Sequence, residues 1–289
     1  MLPKAQGYYV NVGNAAQTAA RLKEFDAWTR ENGLRWQAVG LDIEPTLQEF
    51  ASAADKLRLM SMVIERAFDV DRIRRARDEY QALVRWMQQR GYRVQTHQLS
   101  FIADERRAGS TLLQRIVGIV DVRGDEEVLM LYTSLSEPFG AALIWAYGPD
   151  AQIVAVGSTN LSGDAALDAK YPPLTWEKFS RDLRVARHFS STVGVYSLEG
   201  CLRYGFMPNL LAMDWSEPVV IPAAAIKQAN GFRMIVRVVL WIGSRMLYFV
   251  AGFLVGLGLV VRAIIRWWRR RRQRRLAAAT ATPPDAVTA

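Results

Sequence analysis

Short runs of apolar residues recur along the first two-thirds of the chain. Each is followed by a stretch in which apolar and polar residues alternate every three or four positions. Six runs stand out: YYVNVG (8–13), WQAVGLDIE (36–44), YRVQTHQL (92–99), EVLMLYTS (127–134), AQIVAVGS (151–158) and TVGVYSLE (192–199). Near-continuous apolarity over a short run suits a strand covered on both faces. Between the first two, NAAQTAARLKEFDAWTRENGL (14–34) sets Ala16, Ala20, Leu22, Phe25, Trp28 and Leu34 at helical spacing, with Gly33 near the stop. Strand and helix alternating in this way predict a parallel α/β sheet with helices outside it. The connection from 45 to 91 holds periodic material for two helices, with a break near Asp69–Asp71. The mixed charges of DVDRIRRARDE read as a solvated helix face. A further helix follows Pro172 and Pro173 with Thr175 as its N-cap, and GCLRYGFMPNLLAMDW (200–215) gives a last one.

The pattern changes after residue 215. Residues 1–215 read as one domain, 216–233 as a linker, 234–268 as a transmembrane anchor region, and 269–289 as a basic, then disordered tail. Within the anchor, MLYFVAGFLVGLGLVV (246–261) is uncharged and bounded by Arg245 and Arg262. At the helical rise it spans about 24 Å, and its apolar flanks extend it towards the thickness of a bilayer core. Trp267 and Trp268 stand where an interfacial belt would lie, followed by RRRRQRR. The arginines predict a single-pass protein with its C-terminus in the cytoplasm and its folded domain outside. The start MLPKAQGYYVNVGN lacks the apolar run of a signal peptide, so either sequence further upstream carries the export signal or the anchor is inverted and the domain is cytoplasmic. Gly252 and Gly256 form a small-xxx-small pair, through which membrane helices form weak homodimers.

Charge supports a bilayer as partner and argues against nucleic acid. The formal net charge of the 289 residues is +9, but eight arginines lie between Arg262 and Arg275, leaving the remainder close to neutral. The one cysteine, Cys201, excludes an internal disulfide and a multi-cysteine zinc site. His97 and His188 lie too far apart for a paired-histidine metal motif. GSTNLSG (157–163) is rich in small residues but lacks the lysine of a phosphate loop. No cofactor or metal is expected.

The chemistry collects at strand ends. In RWQAVGLDIEPTLQEF (35–50), Asp42 and Glu44 share one strand face with Gly40, Ala38 and Trp36, while Val39, Leu41 and Ile43 take the other. Pro45 stops the strand. In a parallel barrel the active site forms at the carboxyl ends of the strands. Those ends carry His97 and Gln98, with Asp104 and Glu105 beyond, then Met130, Tyr132, Thr133 and Ser134, and finally Tyr196 and Glu199. Acids, amides and tyrosines together suit a carbohydrate, whose cleavage needs a carboxylic acid to protonate the leaving oxygen. Alternatively, Asp42 and Glu44 cap a helix beginning in PTLQEF.

GLDIE resembles the tail of the DxxDxDxE strand of the family 18 chitinase-like glycosidases, which are TIM barrels. LMLYTS is similar to that family's MxY[DN] strand, with Met130 and Tyr132 in the matching places, and GVYSLEG resembles its last strand. YYVNVGN stands where the family has its third strand. The resemblance covers about residues 8–212. It implies a (β/α)8 TIM-barrel-like fold lacking its first two βα units, acting on polysaccharide or glycan in the envelope or outside the cell. Glu44 would be the general acid. Asp42 would orient the substrate's N-acetyl group, and Tyr132 would donate a hydrogen bond to its carbonyl. Met130, His97, Gln98, Tyr196 and Glu199 would line the substrate.

The chain also departs from the family. Its first two aspartates fall on Gln37 and Gly40, Leu198 stands in place of a tryptophan, and Thr133 replaces Asp or Asn. A catalytically inactive barrel that binds a glycan or a protein is therefore a second expectation. A third is a metal-dependent phosphodiesterase with Asp42, Glu44, Asp104 and Glu105 as oxygen ligands.

Overall fold

The structure, a computed structural model, describes residues 9–45, 56–136, 139–160 and 165–280. Five strands, β1 (Val39–Asp42), β2 (Val94–Leu99), β3 (Glu126–Met130), β4 (Ile153–Gly157) and β5 (Val193–Tyr196), pair in parallel in chain order. They form a sheet curled into a half-barrel. Val10 makes a parallel bridge to Ile43 at the β1 edge, so all six apolar runs reach the sheet in the order in which they occur. Sequential parallel order is what right-handed crossovers through outer helices produce. Among the described residues the sheet has five strands and one bridge, against the eight strands of a closed barrel.

The described residues form twelve α-helices, those of the two hydrophobic cores packing on the convex side of the sheet. They begin with α1 (Ala15–Glu31), α2 (Lys56–Phe68), α3 (Val70–Gln89), α4 (Phe101–Ala108) and α5 (Leu112–Val117). Then come α6 (Ala141–Tyr147), α7 (Ala165–Lys170), α8 (Trp176–Phe189), α9 (Leu198–Arg203) and α10 (Phe206–Leu211). The last two are α11 (Ala223–Ser244) and α12 (Met246–Thr280). Leu41, Ile43 and Val94 meet Tyr80, Val84 and Met87 of α3 in one core. Leu129, Leu131, Val154 and Val156 meet Ile144, Phe179 and Leu183 in the other. Strand alternation leaves Val128, Ile153 and Ala155 on the concave side, where they form a small third cluster beside Tyr132.

The break between α2 and α3 falls at Asp69, whose carboxylate accepts the Arg72 N–H at 3.1 Å. Thr175 caps α8 by accepting the Lys178 N–H at 3.4 Å. Both caps follow the expected chemistry.

Other elements differ from expectation. α1 exposes Ala16, Ala20 and Trp28, and turns Ala15, Thr18, Asp26 and Thr29 inward. The reason is electrostatic. The buried Asp26 carboxylate accepts from Arg90 Nη1 at 2.5 Å, Tyr92 Oη at 2.9 Å and Arg30 Nε at 3.0 Å. Trp28 instead stacks on Trp36, with ring centroids 6.4 Å apart. The last expected helix is two short ones, separated at Gly205, whose φ of 68° suits glycine.

The expected linker is largely helix. α11 carries Ala229, Arg233 and Leu240 into the domain, so the compact unit runs to Trp241 rather than to residue 215. A second unit, 242–289, contains α12. One stretch of α12, Ala251–Arg272, is long and apolar enough to cross a membrane, and none of it is buried. The tail beyond residue 280 lies outside the described residues.

Candidate functional site

Register brings the strand ends together. Asp42 pairs with His97 across β1 and β2, Leu99 with Met130 across β2 and β3, and Met130 with Ala155 across β3 and β4. Gly157 pairs with Tyr196 across β4 and β5. Because paired residues in parallel strands point the same way, Asp42, His97, Met130 and Tyr196 all belong to the concave face. Tyr132 continues that face two residues past Met130. Glu44 does so two residues past Asp42, its N–H donating to the Val10 carbonyl at 3.2 Å.

Asp42 is half-buried, and burial pushes its carboxyl up to about 6. Burial first, then the charges of Asp42, Glu44, Tyr196 and Tyr9, raise the Tyr132 phenol well above its usual value. The phenol is therefore a hydrogen-bond donor throughout the physiological range. Asp42, Glu44 and Tyr196 share the concave face with Tyr132. The rings of Tyr132 and Tyr196 stack, with centroids 5.4 Å apart and planes 20° from parallel. His97 is held below its ordinary value by burial, so it is neutral at pH 7. Its Nε2 would lie 3.3 Å from a Cβ on Gly40, so the imidazole fills the space that glycine leaves.

The lower part of the same face is built differently. Gln95 donates to Glu126 at 2.6 Å and Arg93 pairs with Glu126 at 2.5 Å. Above them Val128, Ile153 and Ala155 make an apolar floor. Met130, 6% exposed, points to the same face as its register partner Ala155.

Two expected substrate contacts lie elsewhere. Gln98 alternates with His97 and so points to the convex side, where it is buried and donates to the Val122 carbonyl at 2.8 Å. Glu199 is not in a strand. β5 stops at Tyr196, Ser197 caps α9 by accepting the Gly200 N–H at 3.2 Å, and Glu199 pairs with Arg203 on the exposed helix surface at 3.0 Å. Serine followed by an acid in the first turn is an N-cap signature that could have flagged this. Leu198, in the same helix, is 61% exposed and lines nothing on the concave face.

Asp104 and Glu105 are also committed to the fold. Glu105 is buried and accepts the Leu113 and Gln114 N–H groups at 2.6 and 3.2 Å, fixing the start of α5. Asp104 is buried against Arg233, Arg237 and Tyr147. Neither can join Asp42 and Glu44 around a cation. Among the described residues no group of three or more His, Cys, Asp and Glu side chains is arranged to hold a metal ion. The segment from 46 to 55, where Asp42 and Glu44 would cap a helix, lies outside the described residues.

Sequence reasoning missed Tyr9, which alternation from the inward-packed Val10 would have found. Compared with protein-family models, with curated proteins and with solved structures, the chain matches none.

Proposed function

We propose that this is a membrane-anchored, carbohydrate-active protein of the glycoside hydrolase type, with its sugar site at the carboxyl end of the half-barrel. One observation carries the reading: Tyr132 is stacked on Tyr196 and lies within the field of both Asp42 and Glu44. A flat aromatic pair gives the apolar face of a pyranose a surface to lie on, and carboxylates beside it take hydroxyls or move a proton. In the substrate-assisted route, a protonated carboxyl gives its proton to the leaving glycosidic oxygen as the C–O bond breaks. The substrate's own acetamido oxygen attacks the anomeric carbon, and water then opens the ring so formed. Glu44 is the donor in this account. Asp42, whose proton burial holds up to about pH 6, orients the acetamido group, and Tyr132 donates a hydrogen bond to it.

The test is release of reducing ends from β-linked N-acetylhexosamine oligomers by the full chain. Glu44→Gln and Asp42→Asn are each expected to lower turnover at least a hundredfold with the fold intact. Unchanged turnover in Glu44→Gln would end the assignment.

A second reading, glycan binding without turnover, is favoured by Gly40. The acid that the family carries there is replaced by space that His97 occupies. Binding of the oligomer with no product on prolonged incubation would select it.

The span Ala251–Arg272 holds the domain at a bilayer in both readings. Its arginine-rich end faces the cytoplasm under the positive-inside rule, which leaves the half-barrel on the other side.

A further inference from the structure

We propose that the outward face of α11, from Phe232 to Trp241, lies in membrane lipid, so that the domain is seated on the bilayer instead of hanging from a tether. The inference rests on reading Ala251–Arg272 as a membrane span.

A surface helix in water turns its apolar stripe inward and its charges outward. The second half of α11 does the reverse. Its charged residues, Arg233 and Arg237, face the domain, where the Nε of each donates to Asp104 Oδ1 at 2.7 Å. Arg233, 5% exposed, also reaches Asp150 and the Ala146 carbonyl, and its guanidinium lies 4.0 Å from the Tyr147 ring centre. Tyr147 in turn donates to Asp104 Oδ2 at 2.5 Å. The opposite side presents Met234, Ile235, Val238 and Val239, each between 49% and 63% exposed, with Phe232 and Trp241, 51% and 45% exposed, on its flanks.

The reversal has a sharp starting point. Before Gly231 the helix exposes Lys227, Gln228 and Asn230, and from Phe232 to Trp241 every exposed side chain is apolar. That is the change a helix makes on passing from water through the headgroup layer into acyl chains. An arginine at that depth needs a partner supplied by the protein, and Asp104 and Asp150 supply it.

Continuity of the chain selects lipid over a protein partner. From Trp241 to the start of the span at Ala251 there is no acidic residue, and Arg245 is the one charge. At helical rise that distance is about 15 Å of chain, too little to hold α11 far from a bilayer that the span crosses.

Site-directed spin labelling of the full chain tests this in vesicles of phosphatidylcholine and phosphatidylglycerol. Labels are attached through Lys227→Cys, Ile235→Cys, Val239→Cys and Leu254→Cys, one at a time. The unsubstituted chain, whose one cysteine is buried, serves as the labelling blank. Collision rates with oxygen, which concentrates in lipid, are compared with those of a water-soluble nickel chelate. Labels at 235 and 239 are expected to show an oxygen-to-nickel ratio several-fold above that at 227 and close to that at 254. A lipid signature at 254 with a water signature at 235 and 239 would overturn the seating of α11 and leave the anchor standing. Low collision with both reagents at 235 and 239 would mean cover by protein, a second copy included, and would also overturn it. A water signature at 254 would remove the anchor itself. Should a label disturb the helix, Met234→Cys and Val238→Cys report from the same face.

Discussion

The ring of Tyr132 lies on that of Tyr196, centroid to centroid 5.4 Å, although 64 positions of chain and the intervening strand β4 separate them. Register explains the meeting. Tyr196 pairs with Gly157, which has no side chain to intervene between β3 and β5. Tyr196 is 45% exposed, so the pair reaches solvent. Tyr196→Ala is expected to weaken oligosaccharide binding about tenfold, which is about 1.4 kcal/mol. The lost stack should cost the fold no more than about 1.5 kcal/mol. Calorimetric titration and thermal melting of the same variant check both halves.

Asp42 makes stability depend on pH in a defined direction. Its carboxyl ionises at the ordinary 3.8 in the unfolded chain and at about 6 in the folded one. Between those values the folded state holds a proton that the unfolded state releases, so stability falls as pH rises through this window. Asp42→Asn removes the dependence. The variant should be more stable than the parent by about 1–3 kcal/mol above pH 6, and no different below pH 4. Chemical denaturation at both ends of the range measures this, and a less stable variant at pH 7.5 would contradict it.

Asp104 is the hub between α4 and α11. Removing its carboxylate in Asp104→Ala leaves Arg233 buried with Asp150 as its remaining acidic partner, and Arg237 without the carboxylate it now uses. A loss of about 3–5 kcal/mol is expected, the usual result of breaking a buried ion pair from one side. Asp104→Asn, which keeps the shape and one acceptor, should lose less. Equal losses in the two would mean that packing, not charge, holds α11.

The close approach at Gly157 gives a backbone prediction. A Cβ there would come within 2.3 Å of the Tyr196 carbonyl oxygen, a contact no rotamer change relieves. Gly157→Ala should push the end of β5 away and destabilise the domain by about 1–3 kcal/mol. Tyr196 would move with it, so sugar binding should fall as well.

Much of this arrangement was legible in the chain, and the exceptions have physical causes. The six apolar runs gave the strands and their order, because strands covered on both faces cannot hide their composition. Asp42 and Glu44 could be placed on one face by counting in twos. The same count, applied to His97 and Gln98, would have separated them. Glu199 was misplaced because Tyr196 ends β5 and Ser197 starts a helix, a boundary that apolar alternation does not mark. α11 reads as two pieces, linker up to residue 233 and anchor region from 234, because its arginines break an apolar run. Only the partners at Asp104 and Asp150, over 70 positions away in the chain, reveal that those charges turn inward. α1 misled for a similar reason, since Asp26 outweighed the apolar stripe by gathering Arg90 and Tyr92.

The most direct test of the concave-face site is calorimetric titration of a β-linked N-acetylhexosamine tetramer into the full chain in detergent micelles, beside its Tyr132→Phe and Asp42→Asn variants. Saturable heat is predicted for the parent chain, with affinity reduced at least tenfold in each variant. Absence of saturable heat in the parent, or equal affinity in all three, would contradict a sugar site formed by Asp42, Glu44 and Tyr132.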